Sequence, residues 1–182
     1  MRDKVKNRQL NNKGFSLIEL IVIMIIVVIL ATAVVVAFVN SEDQKTKSSA
    51  TLVSKYLDNV MNYSMTKGNA YLTLEYDSGR YYVKDSENHS EKLSPAIEVS
   101  YHIENSKNVI VIDENNKLMI SFSRTNGSFT PIIKSVNADG TFVYETTGDS
   151  NTNVYADNIT IKCNDSTKVI HLYTKTGVYE IE

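Results

Sequence analysis

The chain has 182 residues, a net charge of −2 and a pI near 5.9, so bulk positive charge gives it no means of holding nucleic acid or an anionic surface. Its single cysteine, Cys163, rules out an internal disulfide, and the fold must be held by its core. The mean hydropathy of −0.20 averages two unlike parts, a strongly apolar N-terminal block and a polar, tyrosine-rich remainder.

Residues 1–13 carry Arg2, Lys4, Lys6, Arg8 and Lys13 against Asp3 alone. Gly14-Phe15-Ser16-Leu17-Ile18-Glu19 follows, and from Leu20 to Val39 only Thr32 is polar. About twenty helical residues at a rise of roughly 1.5 Å cover the roughly 30 Å hydrocarbon layer, so the block has a spanning length. Positive charge beside an apolar span stays cytoplasmic, which predicts an N-in, C-out orientation. An ordinary secretory signal ends in small residues beyond its apolar region. Here Ala31-Thr32-Ala33 lies inside the block, and the glycine stands before it, at the cytoplasmic edge.

Glu19 has two compatible readings. An acid at the threshold of hydrocarbon is costly and is treated as functional, its natural partner a positive group. Ser16-x-x-Glu19 also fits a capping box at a helix start, which an uncleaved signal anchor would share.

The run from Lys13 through Glu19 and its apolar helix, to about residue 38, closely resembles the prepilin class: type IV pilins and type II secretion pseudopilins. The resemblance implies that a membrane peptidase cuts after Gly14 and methylates the amine of Phe15. It also implies that Glu19 pairs with the N-terminal amine of a neighbouring subunit during assembly. Many major pilins carry a helix-breaking proline at the position of Val36, and its lack here disfavours local melting.

After Val39 the sequence turns polar, and a helical pattern resumes with Ala50, Val53, Leu57 and Val60, joined by Tyr56, Tyr63 and Ser64, on one face. Gly68-Asn69 supplies a stop. One helix from about Phe15 to Lys67 is expected, its first half in lipid and its second laid on a sheet. Beyond it the period shifts to two. Strands are predicted at Ala70–Tyr76, Arg80–Lys84, Ile97–Ile103, Val109–Ile112, Leu118–Ser123, Ser128–Ile133, Thr141–Glu145, Asn158–Lys162, Lys168–Thr174 and Val178–Ile181. So many short strands with hardly any helix between them argue for antiparallel pairing. The fold class is therefore α+β, a long N-terminal helix packed on a C-terminal antiparallel β-sheet or β-sandwich domain. The expected divisions are a cleaved leader (1–14), an apolar assembly helix (15–39), an amphipathic extension (40–68) and a β domain (69–182). The early strand pair, the segment Ile120–Gly127 and the terminal hairpin resemble H-type pseudopilins and FimT/FimU-like minor pilins.

Chemistry is sparse. His89, His102 and His171 share no metal-ligand spacing with each other or with Cys163, which reads as a buried small side chain. No nucleophile elbow, phosphate loop or dinucleotide fingerprint occurs. Asp149-x-Asn151-x-Asn153 resembles the opening of a calcium loop, but Val154 and Thr160 stand where an EF-hand needs glycine and glutamate. Asp113 and Glu114, adjacent in a turn, cannot flank a substrate. The C-terminus ends in Glu180 and Glu182, which repel phosphate and argue against a DNA-uptake role for the tail.

The expectation is a non-enzymatic minor pilin or pseudopilin with no cofactor and no metal. The resemblance implies a prepilin peptidase, other pilin subunits, an assembly platform and, before assembly, membrane lipid as partners. The protein would sit in the cytoplasmic membrane first and in an extracellular filament afterwards. The alternatives are a tip adhesin that binds a ligand through its tyrosines, or a type II secretion pseudopilin.

Overall fold

The computed structural model describes residues 16–147 and 152–182, and within its helix the side chains at 33 and 35–40 lie outside that set. Two compact units are distinguished, residues 1–38 and 39–182. Helix α1 runs Leu17–Thr66.

In the first unit every described side chain of the helix is exposed, from Leu17 to Val34. Apolar residues occupy all sides of it, so no polar face exists to turn toward water. Thr32, its one hydroxyl, donates to the Ile29 carbonyl at 2.8 Å and so satisfies itself locally.

Among the described residues, the second unit contains the rest of α1 and thirteen strands. Thr46, Ser49, Ala50, Val53, Tyr56, Leu57, Val60 and Ser64 are buried, the three-four spacing of a single stripe. The stripe begins with hydroxyls rather than alkyl groups, so the apolar pattern alone starts it too late. Thr46 Oγ1 lies 2.9 Å from Ser166 Oγ, and Ser49 Oγ accepts the Ser94 amide at 3.1 Å. The helix ends where the Tyr63 carbonyl accepts both the Lys67 and Gly68 amides, and Gly68 and Asn69 turn left-handed at φ of 76° and 55°.

The first sheet contains β1 (Tyr71–Asp77), β2 (Arg80–Asp85), β3 (Ser90–Lys92) and, after β4 (Glu98–Ile103) and β5 (Val109–Val111), β6 (Leu118–Ser121). Its order is β3-β2-β1-β6, all antiparallel. Ser78 and Gly79 both take positive φ between the paired residues Asp77 and Arg80, the two-residue turn whose twist suits a hairpin. Further along come β7 (Ile133–Val136), β8 (Phe142–Tyr144), β9 (Thr146–Thr147), β10 (Thr152–Asn153), β11 (Ala156–Cys163), β12 (Ser166–Tyr173) and β13 (Val178–Ile181). The second sheet has the order β13-β12-β11-β4-β5, and β7-β8 and β9-β10 form two small ribbons.

Both sheets and the helix stripe contribute to one core. Leu72, Leu74, Val83, Leu118 and Ile120 meet Val99, Ile159, Ile161, Ile170 and Leu172 around Val53, Leu57 and Val60. Tyr179 of β13 ties sheet to helix, donating to the Ser54 carbonyl at 3.1 Å and to Asp58 Oδ1 at 2.6 Å.

The α+β layout expected from the sequence is the observed one, with one correction among the strands. Ser128–Ile133 is not a strand: Phe129 makes a single bridge to Phe122, and the strand starts at Ile133. Pro131 has no amide hydrogen to give a ladder, which accounts for the break. β3, entirely exposed and polar, carries no period-two signal and was not anticipated.

Candidate functional site

Gly14 and Phe15, where cleavage and methylation are expected, lie outside the described residues. Glu19 is described, and its surroundings begin with the backbone. The first amides of a helix have no partner within it. Here the Ser16 amide donates to Glu19 Oε2 at 2.8 Å and the Glu19 amide donates to Ser16 Oγ at 3.3 Å. The Leu20 amide closes the first turn on the Ser16 carbonyl at 3.2 Å. These reciprocal bonds form the capping box foreseen in the sequence, and they hold the carboxylate at the positive end of the helix. Glu19 Oε1 accepts no hydrogen bond among the described residues. Ile18, Glu19, Val22 and Ile23 line a shallow depression of about 250 Å³ on this side.

The surface around that carboxylate is a continuous apolar one. Leu17 is 80% exposed and Ile18 70%, and the large apolar side chains from Leu20 to Leu30 are all exposed. A surface of this kind is a contact surface for lipid or protein. Among the described residues no helix is long and apolar enough to cross a membrane. The apolar run of the sequence continues to Val39 through residues whose side chains are not among those described.

The histidines each meet a carboxylate instead of one another. His89 Nδ1 is 2.9 Å from Asp85 Oδ2, and Asp85 also accepts the Glu87 and His89 amides, which fixes the β2–β3 turn. His102 Nδ1 is 2.7 Å from Asp157 Oδ1, Asp157 being the extra residue where the β11–β4 register shifts. That bulge is what re-aims Asp157 toward His102, and strand alternation alone does not announce it. His171 Nε2 is 3.1 Å from Glu182 Oε2. Among the described residues no three His, Cys, Asp or Glu side chains group as a metal site, and Cys163 is buried. Asp149 and Asn151 of the calcium-like pattern lie outside the described residues, while Asn153 pairs with Thr146 in the β9–β10 ribbon.

Comparison with known families matches residues 9–35 to the prokaryotic N-terminal methylation motif. The matched stretch includes Gly14, Phe15 and Glu19. It supports a type IV pilin-like or pseudopilin subunit, a class of structural proteins that assemble with other subunits. No curated protein and no solved structure matches the chain.

Proposed function

We propose that the protein is a minor subunit of a type IV pilus-like filament, cut after Gly14, methylated on Phe15 and assembled through its N-terminal helix. The observation that supports this most is Glu19, a carboxylate held at the first turn of an exposed apolar helix, with one oxygen that accepts no hydrogen bond among the described residues. Scission after Gly14 creates an amine on Phe15, the residue that immediately precedes the cap. Before assembly the helix from Leu20 to Val39 spans the cytoplasmic membrane, N-in, with the β domain outside. During assembly it exchanges lipid for the helices of neighbouring subunits.

In that exchange the apolar contacts favour many staggers about equally, because they are non-directional. A buried carboxylate does not: unpaired it is strongly disfavoured, and paired with an amine it is tolerated. Glu19 therefore selects the stagger that brings a neighbour's Phe15 amine to its carboxylate. The β domain supplies the part of the subunit that faces outward.

Two measurements test the reading. The mass of the mature protein should correspond to a chain beginning at N-methylated Phe15, and Gly14→Val should leave the full-length mass. Glu19→Ala should be inserted and processed normally yet recovered in purified filaments about tenfold or more below wild type. A mature protein that still begins at Met1 refutes the processing step. Undiminished incorporation of the Glu19 variant removes the carboxylate from assembly.

A further inference from the structure

A cleft of about 350 Å³ opens at the C-terminal end of α1, between the helix stop, the segment after β6 and the β7–β8 ribbon. Lys67, Asn69, Arg124, Phe142 and Tyr144 are the side chains there that bear on binding. Ser64, Ser123 and Thr130 also line it, but their hydroxyls are already bonded to Ala70, Thr125 and Ser121. Three polar groups are not committed. The Arg124 guanidinium, the Asn69 carboxamide and the Tyr144 hydroxyl have no hydrogen-bond or ion-pair partner among the described residues. No carboxylate is among the lining residues. Lys67 is partly engaged, 3.3 Å from Glu87 Oε1 and over the Tyr63 ring.

The aromatic wall is a built one. Phe142 stands edge-on to Tyr71 at 5.8 Å between centroids and to Tyr144 at 6.3 Å, so its ring is fixed from two sides. The Tyr144 phenol, neutral at physiological pH even at its ordinary value near 10, is raised further by burial and by Tyr155.

We infer that this cleft binds a small monoanionic ligand of the acidic-sugar class, its carboxylate on Arg124 and its ring against Phe142. The guanidinium fork matches a carboxylate with two parallel hydrogen bonds. The other free groups are a neutral amide and a phenol, the donors and acceptors that hydroxyls require and that a phosphate dianion does not. The carbonyl end of α1 borders the cleft with its partial negative charge, which penalises a dianion more than a monoanion. The volume lies at the small end of ligand pockets, enough for one sugar unit and not for a long chain. This binding goes beyond filament assembly and needs none of it, since every contributing residue lies in the β domain or at the end of the helix that joins it.

The test uses the full-length chain in detergent micelles, with glucuronate as probe and glucose, acetate and inorganic phosphate as comparisons, followed by ligand-observed NMR titration. Glucuronate should bind at least about tenfold more tightly than any of the three. Arg124→Gln should weaken glucuronate by about tenfold, and Tyr144→Phe by several-fold, with thermal melting unchanged in both. Arg124→Lys, which keeps charge without the fork, should fall between wild type and Arg124→Gln. Failure of glucuronate to bind overturns the inference, as does equal binding of glucose or of phosphate. An Arg124→Gln variant that binds as wild type does overturns it as well.

Discussion

Gly177 lies in the turn between β12 and β13, where its amide and that of Thr176 both donate to the Tyr173 carbonyl, at 2.9 and 3.0 Å. Its φ is +72°, and a Cβ built on it would lie 1.8 Å from the Gly127 carbonyl oxygen and 2.8 Å from its carbon. Two costs follow for Gly177→Ala. The left-handed backbone costs a non-glycine residue about 1–3 kcal/mol. The collision is with main chain, which no rotamer change relieves, and overpacking of this kind adds about 1–3 kcal/mol. Gly79→Ala separates the two, because Gly79 has φ of +79° with nothing within 4 Å of the added carbon. The two variants should therefore differ by about 1–3 kcal/mol. At about 3 °C per kcal/mol for a domain of this size, Gly177→Ala should melt roughly 3–9 °C below Gly79→Ala. Circular dichroism melts of the full-length protein in detergent decide it. Equal melting temperatures would show that the Gly127–Gly177 approach carries no energetic weight and would refute the packing argument.

Three further outcomes are expected. Leu57→Ala, at a position 0% exposed in the core, should cost about 2–5 kcal/mol in thermal or chemical unfolding. Tyr179→Phe removes the hydroxyl that joins β13 to Ser54 and the exposed Asp58, and should cost about 1 kcal/mol with unchanged secondary structure. A loss above that of Leu57→Ala would contradict this assignment. Burial, with a smaller contribution from Glu145, pushes the Tyr101 phenol up to about 12, and Tyr179 is raised by burial and by Asp58. Because these folded-state values lie above the ordinary value near 10, the neutral phenols contribute stability that is complete below about pH 10 and is lost as pH rises through the folded values. Alkaline unfolding curves should stay flat to about pH 10, and phenolate absorbance should show Tyr101→Phe lacking one late-titrating group.

The features legible in the sequence are those encoded by neighbours along the chain. Gly14, Phe15, Ser16 and Glu19 lie within six positions, so the motif and the capping box could both be read directly. The helix stripe at Ala50, Val53, Leu57 and Val60 and the alternation in β1, β2, β4, β11 and β12 were legible for the same reason. What escaped depends on partners distant in sequence or on the absence of pattern. β3 is a polar edge strand recognisable only by its pairing with β2. Thr46 and Ser49 are buried because distant partners meet their hydroxyls, the Ser166 hydroxyl for Thr46 and the Ser94 amide for Ser49. The sugar-sized cleft joins Asn69, Arg124, Phe142 and Tyr144 from three separate segments, and none carries a local signature.

The order of the two sheets sets a schedule for the chain. The four-stranded sheet is complete once Ser121 is available, since its last member pairs with β1. The other sheet has no such early closure: β4 must wait for Ala156–Cys163 to arrive before its inner edge is paired. A polypeptide emerging N-terminus first thus passes through a stage with one half built and a raw edge open at the other, the kind of edge that invites pairing with another chain until the tail arrives.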